Sequence, residues 1–160
     1  MSDVLVVYYS RSGTTDRVAR QLAGKLKADL DVIRPEADYA GTDGYRRGVW
    51  HSIIGLMPRV GHGRDPAGYS LVVIGSPVWA GNPSAPVRSY LKANRDRIQT
   101  LAAFCVSGSG QRYAGFFRAV ERLAGRSLTA TMALAERDVT AGASEPALTS
   151  FVADLHPGRA

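Results

Sequence analysis

Cysteine is nearly absent from this chain, because Cys105 is the only one among its 160 residues. A single thiol excludes an internal disulfide and a zinc centre built from cysteines. The three histidines, His51, His62 and His156, are too scattered along the sequence to predict a metal site. We therefore expect no resident metal ion.

Long apolar runs are also missing, since none approaches the roughly 20 residues needed to span a bilayer as a helix. The N-terminal residues Met1, Ser2 and Asp3 lead directly into a short apolar stretch without the pattern of a signal peptide. We expect a cytoplasmic protein with no integral membrane segment. With 45% hydrophobic and 21% charged residues, the chain is predicted to be a single globular domain over residues 1–160.

Acidic residues are fewer than basic ones, 14 against 20, which gives a formal net charge of +6. A positive excess is compatible with an anionic partner. The chain has no interleaved aromatic and basic residues and no recognition-helix pattern, so we expect no specific nucleic-acid partner. The basic residues of segment 39–64 are interpreted as the solvated face of a helix. The alternative is that they contact a pyridine nucleotide or a carboxylated substrate.

Apolar strands and amphipathic helices alternate about five times along the chain. The predicted strands are residues 4–8, 31–34, 71–75, 101–106 and 128–134, with helices between them. The segment between Pro35 and Pro58 is predicted to contain one helix that runs on through Met57, and the last helix is expected to stop at Pro157. This alternation predicts a three-layer α/β sandwich around a five-stranded parallel sheet. The strand order that we expect for it is 2-1-3-4-5, one of the two common orders of such sheets.

The turn after the first strand, Tyr9-Ser10-Arg11-Ser12-Gly13-Thr14-Thr15, is rich in hydroxyl groups. It leads directly into a helix, so backbone N–H groups and the positive end of the helix dipole face any ligand above the strand. No Gly-Lys-Ser or Gly-Lys-Thr follows Gly13, which excludes the loop of nucleoside triphosphatases. The turn predicts a phosphate site, and the competing interpretation is a helix cap without a ligand.

Two more unusual loops follow the third and fourth strands. Residues 77–82 contain Trp79, and residues 107–113 combine glycines and serines with Tyr113. In the predicted strand order, all three loops converge above the carboxyl edge of the sheet. Together they predict a site for a phosphorylated planar ligand, although Trp79 taken alone is more typical of a core residue.

These three segments, in this order, resemble the flavodoxin family over nearly the whole chain. The resemblance implies the fold above and flavin mononucleotide (FMN) as cofactor. It implies that Trp79 contacts one face of the flavin ring and that Tyr113 lies on or near the other. The implied phosphate contacts are Ser10, Ser12, Gly13, Thr14 and Thr15, with added charge from Arg11, and the implied ring-edge residues are Pro77, Val78, Ala80, Gly81, Ser107, Gly108, Ser109 and Gly110.

The same resemblance implies a redox function with the chemistry on the flavin and no catalytic side chain. We expect an FMN-dependent oxidoreductase that reduces a quinone or similar small-molecule acceptor, with NADH or NADPH as a donor, or a one-electron carrier with an acidic redox partner. Whether two chains form a homo-oligomer is left open. Segments 66–95 and 99–120 contain no acidic residue, and Arg112 lies in the second of them. We therefore expect a higher midpoint potential than that of acidic carriers.

Two other classes of function compete with this one. The segment from Cys105 to Arg112 resembles the loop of thiolate phosphatases, but it has six intervening residues where that loop has five. A buried, inert thiol is the default for a cysteine inside an apolar strand. The second alternative is a flavin-free fold that binds partners through its arginines.

Overall fold

Parallel strands form the centre of the fold in a computed structural model of the chain, which describes residues 2–36, 41–53 and 57–156. The five main strands are β1 (Val4–Tyr8), β2 (Asp29–Val32), β3 (Leu71–Trp79), β4 (Leu101–Ser107) and β5 (Leu128–Ala135). They pair in the order β2-β1-β3-β4-β5, all in parallel. The predicted strand order is confirmed.

Helices cover both faces of the sheet. They are α1 (Thr14–Leu26), α2 (Gly41–Ile53), α3 (Ala85–Asn94), α4 (Ala114–Ala124), α5 (Glu136–Thr140) and α6 (Glu145–Leu155). Because successive side chains of a strand point to opposite faces, β1 contributes to two cores. Leu5 and Val7 join the core under α3 and α4, whereas Val6 and Tyr8 join the core under α1 and α6. The predicted three-layer architecture follows from these two cores.

Several element boundaries differ from the prediction. β2 begins at Asp29 and ends at Val32, two residues earlier than predicted at each end. The chain then leaves the main sheet, because Arg34 and Pro35 pair antiparallel with Gly61 and Val60. α2 is described only to Ile53, residues 54–56 lie outside the described part of the chain, and Met57 is not helical. Pro157, the expected stop of the last helix, also lies outside the described residues.

β3 differs most from the prediction, since it continues past Gly75 to Trp79. Its last residues pair antiparallel with a two-residue strand, Val78 with Pro83 and Trp79 with Asn82. The dipeptide Ser76-Pro77 is typical of the end of a strand. In the structure Pro77 still belongs to β3, close to the carboxyl end of the strand and beside β4. The segment predicted as a loop is therefore largely a hairpin.

The segment after α2 is anchored to the sheet by a buried carboxylate. Asp31 on β2 accepts hydrogen bonds from the backbone N–H groups of Gly63 at 2.9 Å and Arg64 at 2.8 Å. The His62 ring packs edge-on against Tyr90 of α3, with 5.0 Å between ring centroids. These contacts return the chain to the sheet before β3. Among the described helices, none is both long and apolar enough to cross a membrane.

Gly75 of β3 provides a test of how tightly the core is packed where β3 lies beside β4. A Cβ at this position would collide with the ring of the fully buried Phe104 on β4. Gly75→Ala is therefore expected to lower the free energy of unfolding by about 2 kcal/mol, the usual cost of overpacking a core. The matched control is Gly24→Ala in α1, where a Cβ meets nothing within 4 Å. That control should gain up to about 1 kcal/mol from helix propensity. Urea unfolding of the three proteins measures both effects, and equal stabilities of Gly75→Ala and the wild type would contradict the packing described here.

Candidate functional site

A cavity of about 300 Å³ lies at the carboxyl edge of the sheet, above β1, β3 and β4. It is the place where parallel α/β sheets bind ligands. Its lining residues come from five parts of the chain: Arg11, Ser12, Thr15, Tyr45, Pro77, Val78, Trp79, Val106, Ser107, Gly108 and Glu136. The structure thus brings together the three loops that the sequence singled out.

The loop between β1 and α1 is shaped by its own hydrogen bonds. Gly13 is the N-cap of α1 and has a φ of 99°, in the left-handed region that favours glycine. Its backbone N–H donates to Ser10 Oγ at 3.0 Å, which closes the turn. Ser10 and Gly13 therefore determine the shape of the loop, and neither lines the cavity.

Other residues of this loop reach the cavity. Arg11, Ser12 and Thr15 line it, and Thr15 is only 3% exposed. Thr14 does not line it, and its hydroxyl lies 3.4 Å from that of Ser12. The cavity is thus provided with two hydroxyl groups and one guanidinium group beside the N-terminus of α1.

A partly buried hydrogen bond connects this helix to its strand. The Tyr8 hydroxyl donates to the Asp16 carboxylate, which also accepts from Arg20 Nε at 2.9 Å. Burial, with the Asp16 carboxylate beside it, raises the pKa of Tyr8 to about 12, so the tyrosine stays a donor. Burial acts to raise the pKa of Asp16, but hydrogen bonds from Arg20 and Tyr8 leave it below its ordinary value.

The β3 hairpin supplies an aromatic wall. Trp79 is 2% exposed, as expected for a core residue. It packs edge-on against Tyr9, with 5.6 Å between ring centroids. On its other side a Cβ at Gly48 of α2 would come within 2.8 Å of its ring. Trp79 is thus both a core residue and a cavity wall.

The tip of that hairpin lies outside the cavity lining. Ala80 and Gly81 both have positive φ angles, 52° and 75°. Asn82 Nδ2 donates to the Ala80 carbonyl oxygen at 3.0 Å and so stabilises the turn. These residues position the strand end that carries Trp79.

The loop after β4 contributes fewer residues than expected. Ser107 and Gly108 line the cavity, and Ser107 Oγ accepts from the Gly110 N–H at 3.0 Å. The hydroxyl groups of Ser109 and Tyr113 lie 3.0 Å apart and outside the lining. Tyr113 is the N-cap of α4 and packs against the core under α3 and α4. The structure therefore does not bring Ser109, Gly110 or Tyr113 to the cavity wall.

Two lining side chains were missed by the sequence reasoning. Tyr45 lies in the helix predicted between Pro35 and Pro58, and the structure places it beside Arg11, whose Cζ is 5.0 Å from the centre of its ring. Glu136 directly follows β5. The position of Glu136 was the signal that could have identified it. It follows the carboxyl end of the fifth strand, and that end lies at the same edge of the sheet as the three loops.

Charge in the cavity is limited to two groups among the described lining residues, Arg11 and Glu136. Arg112 is not one of them: its guanidinium bonds Thr131 Oγ1 and lies 5.1 Å from the centre of the Phe117 ring. Within residues 2–36, 41–53 and 57–156, no group of three or more His, Cys, Asp or Glu is placed to hold a metal ion.

The thiol is not part of the cavity either. Cys105 is fully buried in β4, and burial raises the pKa of its thiol to about 12. A phosphatase needs a thiolate at neutral pH in an accessible cradle. The expectation of a buried, inert cysteine is confirmed.

Known proteins share this fold. A flavoprotein from Lactobacillus acidophilus, solved in complex with FMN, is 23% identical, with a TM-score of 0.72 over 91% of this chain and 100% of that one. A flavoprotein from Bacteroides uniformis is 19% identical, with a TM-score of 0.75 over 94% and 97% of the two chains. The FMN-bound flavodoxin of Fusobacterium nucleatum is 12% identical, with a TM-score of 0.57 over 95% of each chain.

No curated protein matches the chain. The sequence model described as flavodoxin does match, and it spans residues 3–152. That range includes the three loops, α2 and Glu136, and therefore every element that lines the cavity. The chain belongs to the flavodoxin family.

Proposed function

We propose that the cavity binds FMN and that the protein is an FMN-dependent oxidoreductase acting on a small acceptor such as a quinone. The observation that carries the proposal is the meeting of two kinds of wall in one cavity. Ser12, Thr15 and Arg11 line the cavity together with the aromatic side chains Trp79 and Tyr45, and Arg11 lies over the Tyr45 ring. FMN has the matching parts, a phosphate and a planar ring. Family membership and the FMN-bound relatives support the assignment.

The residues present fit the cofactor. Thr15 and Ser12 have hydroxyl groups that can donate to phosphate oxygens, and Arg11 adds a positive charge. The N-terminus of α1 contributes backbone N–H groups and the positive end of its dipole. Trp79 would exclude water from one side of the ring, and Tyr45 lies where α2 borders the cavity. When bound, FMN supplies one-electron and two-electron transfer.

The charges around the cavity favour a potential above that of acidic carriers. Arg11 would stabilise added negative charge, and Glu136 would oppose it. No other charged side chain among the described residues lines the cavity. We propose that this balance raises the midpoint potential, whereas carriers with several carboxylates have a lower one.

A small acceptor is favoured over a protein partner by the aromatic surface of α2. Tyr45 and Trp50 are exposed at 47% and 60%, and Tyr45 also lines the cavity. Planar acceptors and nicotinamide rings stack on such side chains. The second candidate, a one-electron carrier with an acidic partner, is favoured by Arg46 and Arg47, which are exposed on the same helix.

Reconstitution tests the assignment. Purified protein is mixed with FMN, freed of excess and scanned, and retained bands near roughly 370 and 450 nm are expected for bound flavin. Turnover of NADH or NADPH with a quinone separates the enzyme from the carrier. Failure to retain flavin would refute the cofactor assignment, and retained flavin without turnover would favour the carrier.

Removing one buried hydroxyl group should weaken FMN binding. Thr15→Val preserves the shape of the side chain but removes a donor that faces the cavity. A hydrogen bond to a charged group contributes on the order of 1.5–3 kcal/mol, so the dissociation constant should rise roughly tenfold or more. Fluorescence titration of apoprotein with FMN measures it. Thr149→Val, at an exposed position of α6, is the matched control and should bind as the wild type does. Equal affinities of the two variants would remove Thr15 from the phosphate site.

Glu136 is expected to lower the midpoint potential of the bound flavin. Reduction adds negative charge to the flavin, and a carboxylate in the same cavity opposes it. Glu136→Gln is therefore expected to raise the midpoint potential of the FMN-loaded protein in a potentiometric titration. Asp154→Asn, which removes the same charge at the opposite end of the sheet, is the control and should leave the potential unchanged. A lower potential in Glu136→Gln would contradict the proposed placement of the ring.

A further inference from the structure

Helix α2 carries two aromatic side chains that the fold leaves exposed. Among the described residues, Tyr45 and Trp50 are the large apolar side chains at the surface, with exposed fractions of 47% and 60%. Side chains of this size are mostly buried in folded domains. Their exposure is not required for the packing of α2, because the helix contacts the domain through its other side.

The inner side of α2 is formed by two glycines. Gly44 and Gly48 are one turn apart and buried. A Cβ at Gly48 would come within 2.8 Å of the tryptophan ring on which the helix packs. Arg46 and Trp50 lie two residues before and two residues after Gly48, which places them on the opposite side of a helix with 3.6 residues per turn. We call this side, with Tyr45 at its flank, the outward face of α2.

A cation accompanies each aromatic ring of the outward face. Arg46 is exposed and lies one helical turn from Trp50. The Cζ atom of Arg11 lies 5.0 Å from the centre of the Tyr45 ring. The described part of α2 has two exposed arginines and one exposed carboxylate, Asp43, so its surface charge is positive. Aromatic rings combined with cations are typical of helices that lie on anionic bilayers, where the ring enters the interface and the cation meets lipid phosphates.

The size of the outward face favours a bilayer over a protein partner. A helix of 13 residues is about 20 Å long and about 10 Å wide, so one side of it offers a few hundred Å² at most. Each partner of a stable protein pair buries roughly 800 Å² of matched surface. A lipid surface needs no matching shape, and aromatic and cationic side chains both contribute to reversible binding on it.

We propose that the outward face of α2 docks on an anionic lipid bilayer, with Trp50 and Tyr45 in the interface and Arg46 against lipid phosphates. Tyr45 also lines the FMN cavity, so docking would bring that cavity close to the bilayer. A lipid-soluble quinone would then reach the cavity directly from the membrane. This consequence rests on the proposed function, whereas the docking itself requires no flavin.

The test uses the full chain without added flavin and two kinds of vesicle, phosphatidylcholine alone and phosphatidylcholine mixed with phosphatidylglycerol. The chain has two tryptophans, and Trp50 is the exposed one, because Trp79 is buried. A blue shift of the tryptophan emission therefore reports transfer of Trp50 out of water, and sedimentation of the vesicles measures the bound fraction. We expect both signals with the anionic vesicles, and weaker binding as the salt concentration rises.

Variants of the outward face separate specific docking from general attraction of a basic protein. Trp50→Ser is expected to weaken binding roughly tenfold and to abolish the emission shift, because the main apolar contact is lost. Arg46→Gln should weaken binding roughly fivefold. Arg118→Gln is the matched control: it removes the same charge from an exposed position of α4 and should bind as the wild type does. These three positions are exposed, so the core stays intact, and circular dichroism verifies this.

The outcomes distinguish docking from the cofactor assignment. Binding to anionic vesicles by a protein that never retains FMN would support the docking and refute only the cofactor. Absence of binding to the anionic vesicles would overturn the proposal and leave the outward face of α2 to an acidic protein partner. Equal loss of binding in Arg46→Gln and Arg118→Gln would also overturn it, as would binding without an emission shift, because either result would place the contact elsewhere on the protein.

Discussion

The hydrogen bond from Tyr8 to Asp16 is the interaction on which the loop between β1 and α1 depends. Tyr8 is the last residue of β1, and Asp16 lies in the first turn of α1. The bond therefore fixes the distance and the direction across which the intervening residues must turn. The left-handed Gly13 and its hydrogen bond to Ser10 complete the turn without any ligand. A loop that is already shaped loses little conformational entropy when an anion binds, which favours affinity.

The side chain of Trp79 is likewise ordered before any ligand binds. Trp79 is held between Tyr9 and α2, and only a glycine at position 48 allows the helix to approach its ring so closely. A tryptophan that was free to rotate would have to be ordered by each ligand, at a cost in side-chain entropy. Here the packing of α2 has already ordered it. One residue is therefore both part of the core and part of the cavity wall.

Local sequence patterns were sufficient for the number of main strands and for the positions of β1, β4 and β5 to within a residue. Apolar runs such as residues 101–106 leave little choice of conformation, and the rules of connection in parallel sheets allow only a few strand orders, of which 2-1-3-4-5 is a common one. Contacts between distant segments were not predictable in the same way. β3 continues to Trp79 because Asn82 and Pro83 pair with it, and Tyr113 turns away because it packs against the α3–α4 core. Each of these outcomes depends on a neighbour that the local sequence does not specify.

The net charge of the chain does not indicate which charged side chains line the cavity. The chain has a net charge of +6. The loops near the cavity that belong to segments 66–95 and 99–120 contain no acidic residue. Yet the carboxylate that lines the cavity, Glu136, comes from the end of β5, and Arg112 points to Thr131 instead. Coulomb energies fall with distance and are screened by salt, so the nearest charges dominate. The potential that we propose for a bound flavin therefore depends more on the pair Arg11 and Glu136, which line the cavity, than on the overall excess of arginine.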